Sequence, residues 1–151
     1  MVKVKISLIS VGLVLLFAFF LLLPLQSFAY DCSTREGKQY LRLLERKFAD
    51  YRWTDLHPRD ISWEYHRTTR NKHPLMFVHF GNSSKNCVLF FGGVHGDELP
   101  TAYLMFKLAH YVKEHPALFK DQCIVIAPLL NPDGFLSAQP TRTNASGIDI
   151  N

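Results

Sequence analysis

The stretch Val88-Leu89-Phe90-Phe91-Gly92-Gly93 constrains the fold of this chain more than any other. An unbroken apolar run without alternation predicts a strand buried on both faces, and the double glycine ends it with a backbone free to turn sharply. A second apolar run, residues 123–130 (CIVIAPLL), has the same character. Between the two, residues 101–114 (TAYLMFKLAHYVKE) set Ala102, Met105, Phe106, Ala109 and Val112 on one helical face, and His115-Pro116 stops the helix. Strand, helix and strand in that order predict a right-handed parallel crossover whose strands end at one edge of the sheet. The loops that follow them must then be neighbours.

Upstream segments add an antiparallel part. Residues 61–66 (ISWEYH) alternate Ile61, Trp63 and Tyr65 against Ser62, Glu64 and His66, as a half-buried strand does. Residues 69–72 (TRNK) turn the chain, and residues 75–80 (LMFVHF) return as a second strand, which makes a hairpin. Before it, Ser33-Thr34-Arg35-Glu36 reads as an S-x-x-E capping box that opens an amphipathic helix with Leu41, Leu44 and Phe48 inward. Residues 51–59 (YRWTDLHPR) are a connection. The fold class expected is therefore α/β, a mixed sheet combining an N-terminal hairpin with a parallel βαβ crossover. Residues 30–60 form its N-terminal helix and connection, and residues 61–151 its main domain.

The first 29 residues stand apart. Lys3 and Lys5 precede an apolar run over residues 6–23, Pro24 breaks it, and Ser27-Phe28-Ala29 is a small-x-small site. This is the pattern of a secretory signal peptide cleaved after Ala29, with an uncleaved membrane anchor as the alternative because the run nearly suffices to span a bilayer. Without these residues the chain carries 15 basic and 13 acidic side chains, two lysines fewer than the 17 basic residues of the whole. A net charge of +2 with no basic block offers nothing to nucleic acid. Export to a periplasm or the exterior is the expected destination. Cysteine usage is compatible with it: Cys32, Cys87 and Cys123 allow a single internal bridge at most. Cys87 and Cys123 each open an apolar strand, and the reading favoured for them is two small buried core residues, a bridge between them being the alternative.

Chemistry is concentrated just past the central strand. His95 and Glu98 lie three positions apart where a strand gives way to a helix, so an imidazole and a carboxylate can converge beyond the strand's C-terminal edge. That is a metal-ligand pair, since Zn²⁺ accepts both nitrogen and carboxylate oxygen, and a catalytic zinc usually takes a third protein ligand and an open position for water. On the neighbouring loop, Asn131-Pro132-Asp133-Gly134 forms a tight polar turn followed by Phe135.

HGDE after an apolar strand, NPDG starting 36 positions beyond His95, and then Thr141-Arg142-Thr143-Asn144 with Gly147-x-Asp149-x-Asn151 together resemble the zinc carboxypeptidase family, peptidase family M14. Within it, HGDE with TRxNxxGxDxN looks most like the bacterial branch of murein peptide amidases and γ-D-glutamyl-diaminopimelate peptidases. The resemblance covers about residues 61–151 and implies the first half of a three-layer α/β/α domain. It implies that His95 and Glu98 ligate Zn²⁺, that Arg142 is the electrophilic arginine facing the scissile carbonyl, and that Asn151 holds the substrate's terminal carboxylate. Asn131, Asp133 and Gly134 would shape the turn that brings Arg142 into range. The family's third zinc ligand and general base follow later than Asn151, and His57, His66, His73, His79, His110 and His115 all precede the place where that ligand belongs. The expectation is thus an inactive N-terminal fragment of a metallocarboxypeptidase, its partner a peptide or muropeptide, with a membrane involved only if the N-terminal run stays uncleaved. Two alternatives stand beside it: an acyl-amino-acid amidohydrolase of the aspartoacylase or succinylglutamate desuccinylase type, and a non-catalytic relic or binding module.

Overall fold

The structure is a computed structural model that describes residues 30–82 and 86–150. Residues 1–29, expected to be a signal peptide or anchor, and Asn151, expected to hold a substrate carboxylate, lie outside the described residues, among which no helix is long and apolar enough to cross a membrane. Ten elements follow one another: β1 (Tyr30–Asp31), α1 (Arg35–Asp50), a 3-10 turn (Pro58–Asp60), β2 (Glu64–Thr68), β3 (Pro74–Gly81), β4 (Cys87–Phe91), α2 (Leu99–Glu114), α3 (Pro116–Phe119), β5 (Cys123–Ala127) and α4 (Pro132–Leu136). The strands form a five-stranded sheet in the order β1-β2-β3-β5-β4. Only β4 and β5 run parallel, while β1–β2, β2–β3 and β3–β5 are antiparallel. The fold is mixed α/β, as the alternation of apolar runs and helical periodicity implies.

Both long helices bury their apolar stripes in one shared core. Tyr40, Leu41, Leu44 and Phe48 of α1 meet Ala102, Phe106, Ala109 and Val112 of α2 over Met76, Val78, Ile124 and Ile126 of the sheet. Phe48 and Phe106 touch edge to face with ring centroids 4.9 Å apart, a favourable arrangement for their quadrupoles. Trp63 is buried beside them, and its indole N–H donates to the Pro58 carbonyl at 2.7 Å, so the large apolar ring carries no unmet donor.

Several local expectations shift. The cap of α1 is Thr34, whose hydroxyl accepts from the Gly37 N–H at 3.1 Å; Ser33 does not open the helix. Ile61 and Trp63 are buried, yet they precede β2, which begins at Glu64, because Trp63 is occupied with the Pro58 turn. The Asn131 turn tightens into the short helix α4, which Asn131 caps through its side chain.

Two corrections are larger. β4 is not buried on both faces: Val88, Leu89 and Phe91 are each more than half exposed, and Phe90 is 39% exposed. It is the outermost strand of the sheet, paired only with β5, so its apolar side chains have few neighbours among the described residues. The cysteines at the heads of β4 and β5 are not thiols either. Cys87 and Cys123 stand opposite each other in the ladder, their Cα atoms 4.4 Å apart, and are joined as a disulfide. Periodicity places each residue on its own strand but carries no information on which strands become neighbours.

Cys32 is then the free cysteine, and burial pushes its thiol pKa up to about 12. Alkylation of the native chain at pH 8 should leave Cys32 unmodified until denaturant is added, which mass spectrometry reads directly. Phe106→Ala should cost roughly 3–5 kcal/mol of unfolding free energy. The same truncation at Leu104, on the exposed side of α2, should stay within about 0.5 kcal/mol. Urea denaturation of both variants checks the pair.

Candidate metal centre

The parallel ladder continues past the ends of its strands. Gly92 N–H donates to the Ala127 carbonyl at 3.1 Å, Leu130 N–H to Gly92 at 3.0 Å, and Asn131 N–H to Gly93 at 2.8 Å. The two loops therefore leave the sheet bonded together. Gly93 takes a left-handed φ of 55°, and a Cβ on Gly92 would fall 2.6 Å from the Thr101 carbonyl oxygen. These glycines let the chain double back tightly against the first turn of α2, where the Thr101 hydroxyl accepts from Gly93 N–H at 3.0 Å and donates to the Glu98 carbonyl at 2.8 Å.

His95 and Glu98 are delivered by this return. His95 is buried, 5% exposed. Glu98 occupies the N-cap position of α2 but makes no side-chain capping bond; its Oε1 lies instead 2.8 Å from His95 Nδ1. Imidazole and carboxylate thus face a common point, as their spacing implies.

Arg142 arrives from the other loop. Asn131, buried, accepts from Gly134 N–H at 3.0 Å through Oδ1 and donates from Nδ2 to the Arg142 carbonyl at 3.1 Å. Gly96 presses so closely on this turn that an added Cβ would lie 2.3 Å from Gly134 C and Phe135 N. Asp133, also buried, reaches away from the site: it accepts from the Thr69 hydroxyl at 2.5 Å and meets His73 Nδ1 at 2.8 Å, which ties the β2–β3 turn to α4. In consequence the Arg142 guanidinium sits beside the pair, its Nη1 3.8 Å from Glu98 Oε1.

One contributor escaped the reading of the sequence as a role. Asp149 bridges the two halves, its Oδ1 3.0 Å from His95 Nε2 and its Oδ2 accepting from Arg142 Nε at 2.7 Å. The available signal was its place in the G-x-D-x-N pattern, seven positions after Arg142, but periodicity says nothing about which loop groups meet. Glu98, then Asp149, hold the His95 pKa above the ordinary histidine range, against desolvation and the charge of Arg142. The Asp149 bond likewise raises that of Arg142.

The donor set fits half of a metal site. With Nε2 committed to Asp149, the nitrogen His95 presents on the Glu98 side is Nδ1, and a carboxylate on the opposite nitrogen is the usual way a ligating imidazole has its tautomer and orientation fixed. Among the described residues no third histidine, cysteine or carboxylate completes a donor cluster with this pair. His57 is exposed, His66 stacks on Phe77, and His115 bonds the Tyr111 carbonyl at a helix end.

The class so defined is an α/β domain that presents an adjoining histidine and glutamate and an arginine at the C-terminal edge of parallel strands. The chain belongs to the zinc carboxypeptidase family, peptidase family M14, a family of hydrolytic zinc enzymes, whose sequence pattern matches residues 55–151. No curated protein sequence matches it. Its fold is similar to that of bovine thrombin-activatable fibrinolysis inhibitor, solved in complex with tick carboxypeptidase inhibitor, at 18% identity and a TM-score of 0.50. That match covers 78% of this chain and 38% of the bovine one, so the chain spans well under half of that neighbour.

Asn131→Ala should cost roughly 1–3 kcal/mol, since it strands the buried Gly134 N–H and releases the Arg142 backbone. Chemical denaturation measures it. In metal-free protein, NMR titration should find His95 protonated to higher pH than free histidine, and Glu98→Gln should lower that pKa more than Asp149→Asn does.

Proposed function

We propose that this chain carries the ligand pair and the electrophilic arginine of a zinc-dependent metallocarboxypeptidase that hydrolyses a peptide near its C-terminal carboxylate. The observation that supports this reading is the convergence of His95, Glu98 and Arg142 on one sheet edge in a chain of the zinc carboxypeptidase family. His95 Nδ1 and Glu98 would hold the zinc, which when bound lowers the pKa of a water to about 7 and polarises a carbonyl. Asp149 keeps the proton on His95 Nε2 and braces Arg142 through Nε. With Nε so held, the terminal guanidinium nitrogens, Nη1 lying 3.8 Å from Glu98 Oε1, would stabilise negative charge developing on a carbonyl oxygen. Asn151 would take the substrate carboxylate.

The finer reading is a peptidoglycan stem peptide as substrate, as HGDE with TRxNxxGxDxN suggests, in an exported protein. The Cys87–Cys123 disulfide and the apolar leader support an oxidising destination. Among the described residues two protein ligands face this point and no third donor joins them, so we infer weak metal binding and no turnover by these residues alone.

Zinc titration of the isolated chain should give weak uptake that His95→Gln and Glu98→Gln abolish and that Asp149→Asn weakens about 10–100-fold. Uptake indifferent to His95 and Glu98 would sink the site assignment. Incubation with a muropeptide, C-terminally free and amidated peptides, and N-acyl amino acids should yield no product. Robust zinc-dependent turnover of a peptide would overturn the inactive-fragment reading, and turnover of N-acyl amino acids alone would favour the amidohydrolase.

A further inference from the structure

A second group of metal-type donors lies on other elements. His79 of β3, Cys123 at the head of β5 and Cys87 at the head of β4 each offer one ligand atom, all within 4.8 Å of one another. The register of the sheet brings them together. Gly81 pairs with Cys123 and His79 with Val125, so His79 and Cys123 are diagonal neighbours on one face. Cys87 stands directly opposite Cys123 in the parallel ladder and on that same face. His79 Nε2 lies 3.1 Å from Cys123 Sγ. A disulfide flanked by an imidazole at this distance has all the parts of a site with two sulfurs and one nitrogen.

We propose that this trio is a redox-gated zinc site, distinct from His95 and Glu98: the disulfide is its metal-free form, and reduction by a dithiol opens it to Zn²⁺. Access to the two sulfurs sets the direction of the first step. Cys87 is exposed and Cys123 is buried, so a thiolate of the dithiol attacks Cys87 Sγ. A mixed disulfide forms there as the Cys87–Cys123 bond breaks, and its electron pair leaves on Cys123 Sγ, to which His79 Nε2–H donates. The second thiol of the reductant then displaces Cys87, closing its own disulfide. Two electrons and two protons have passed from the dithiol to the chain. Zn²⁺ takes both sulfurs as thiolates and releases those protons, while the His79 ring gives up its Nε2 proton to water and takes one on Nδ1, so that Nε2 is free to ligate, with a water completing the set. Thiolate and imidazole together select a soft or borderline ion over Ca²⁺ or Mg²⁺.

The outcome is a tie across three strands in either state. Oxidised, the bridge holds the outermost strand β4 to β5. Reduced, the metal would hold β3, β5 and β4 at the same place.

The test uses Co²⁺ as the probe and the full chain. The chain is reduced with a water-soluble phosphine, freed of it under argon, and titrated with Co²⁺ and then Zn²⁺. One equivalent should produce a thiolate-to-cobalt charge-transfer band that Zn²⁺ removes, absent from the oxidised chain and from Cys87→Ser and Cys123→Ser. His79→Gln should weaken binding by on the order of tenfold or more while keeping the sulfur band. His95→Gln should leave the band unchanged, so failure here and failure of the peptidase reading are separate results. Far-UV circular dichroism follows the fold throughout. A reduced chain that unfolds and regains structure with the metal supports the proposal. A reduced chain, folded or unfolded, that gives no sulfur band overturns it, and so does His79→Gln binding Co²⁺ as tightly as the parent.

Discussion

The in-phase parallel ladder between β4 and β5 is the constraint on which the rest depends. Pairing runs without a slip from Cys87 opposite Cys123 to Phe91 opposite Ala127 and is then carried into the loops by the bonds of Gly92, Leu130 and Asn131. A slip of one residue would turn every side chain to the other face and pull the two loops out of contact. Instead Gly96 comes to rest against Gly134 at a distance that leaves no room for a side chain. Steric exclusion there and backbone hydrogen bonding beneath it hold the two loops at one separation, and the polar groups they carry inherit it.

What those loops carry is a closed circuit of charge. Glu98 faces one nitrogen of His95, Asp149 faces the other, and Arg142 lies against both carboxylates. The imidazole is buried, while Arg142, Glu98 and Asp149 remain nearly half exposed, so the strongest interactions are on the buried member and the rim stays in contact with solvent. Two of the members are also anchored from behind: Glu98 by the first turn of α2, Arg142 by the Asn131 side chain. Supporting contacts of this kind keep a ligand pair in position without contributing a donor themselves.

The parts that were legible in the sequence share a short range. The strand–helix–strand order, the inward stripes of α1 and α2, and the nearness of HGDE to NPDG all follow from periodicity within about twenty residues and from the handedness of crossovers. Features set at longer range were not legible. The exposure of β4 depends on its rank in the sheet, the bridge between Cys87 and Cys123 on which strands adjoin, and the bond of Asp149 to His95 on a contact between residues 54 positions apart. Even the helix cap moved by one residue, because Ser33 and Thr34 are equally good acceptors and only the path of the chain after β1 decides between them.

By itself the sequence determined which groups are available: an imidazole and a carboxylate three positions apart at the end of an apolar strand, and an arginine beyond the next one. Covalent order and local periodicity suffice for that. Tertiary structure alone decided their relations, namely which nitrogen of His95 faces Glu98, which carboxylate holds the other, and which sulfurs lie beside His79. These relations come from the packing of β5 between β3 and β4, a non-local choice made by burial of the shared core and not by any residue's own preference.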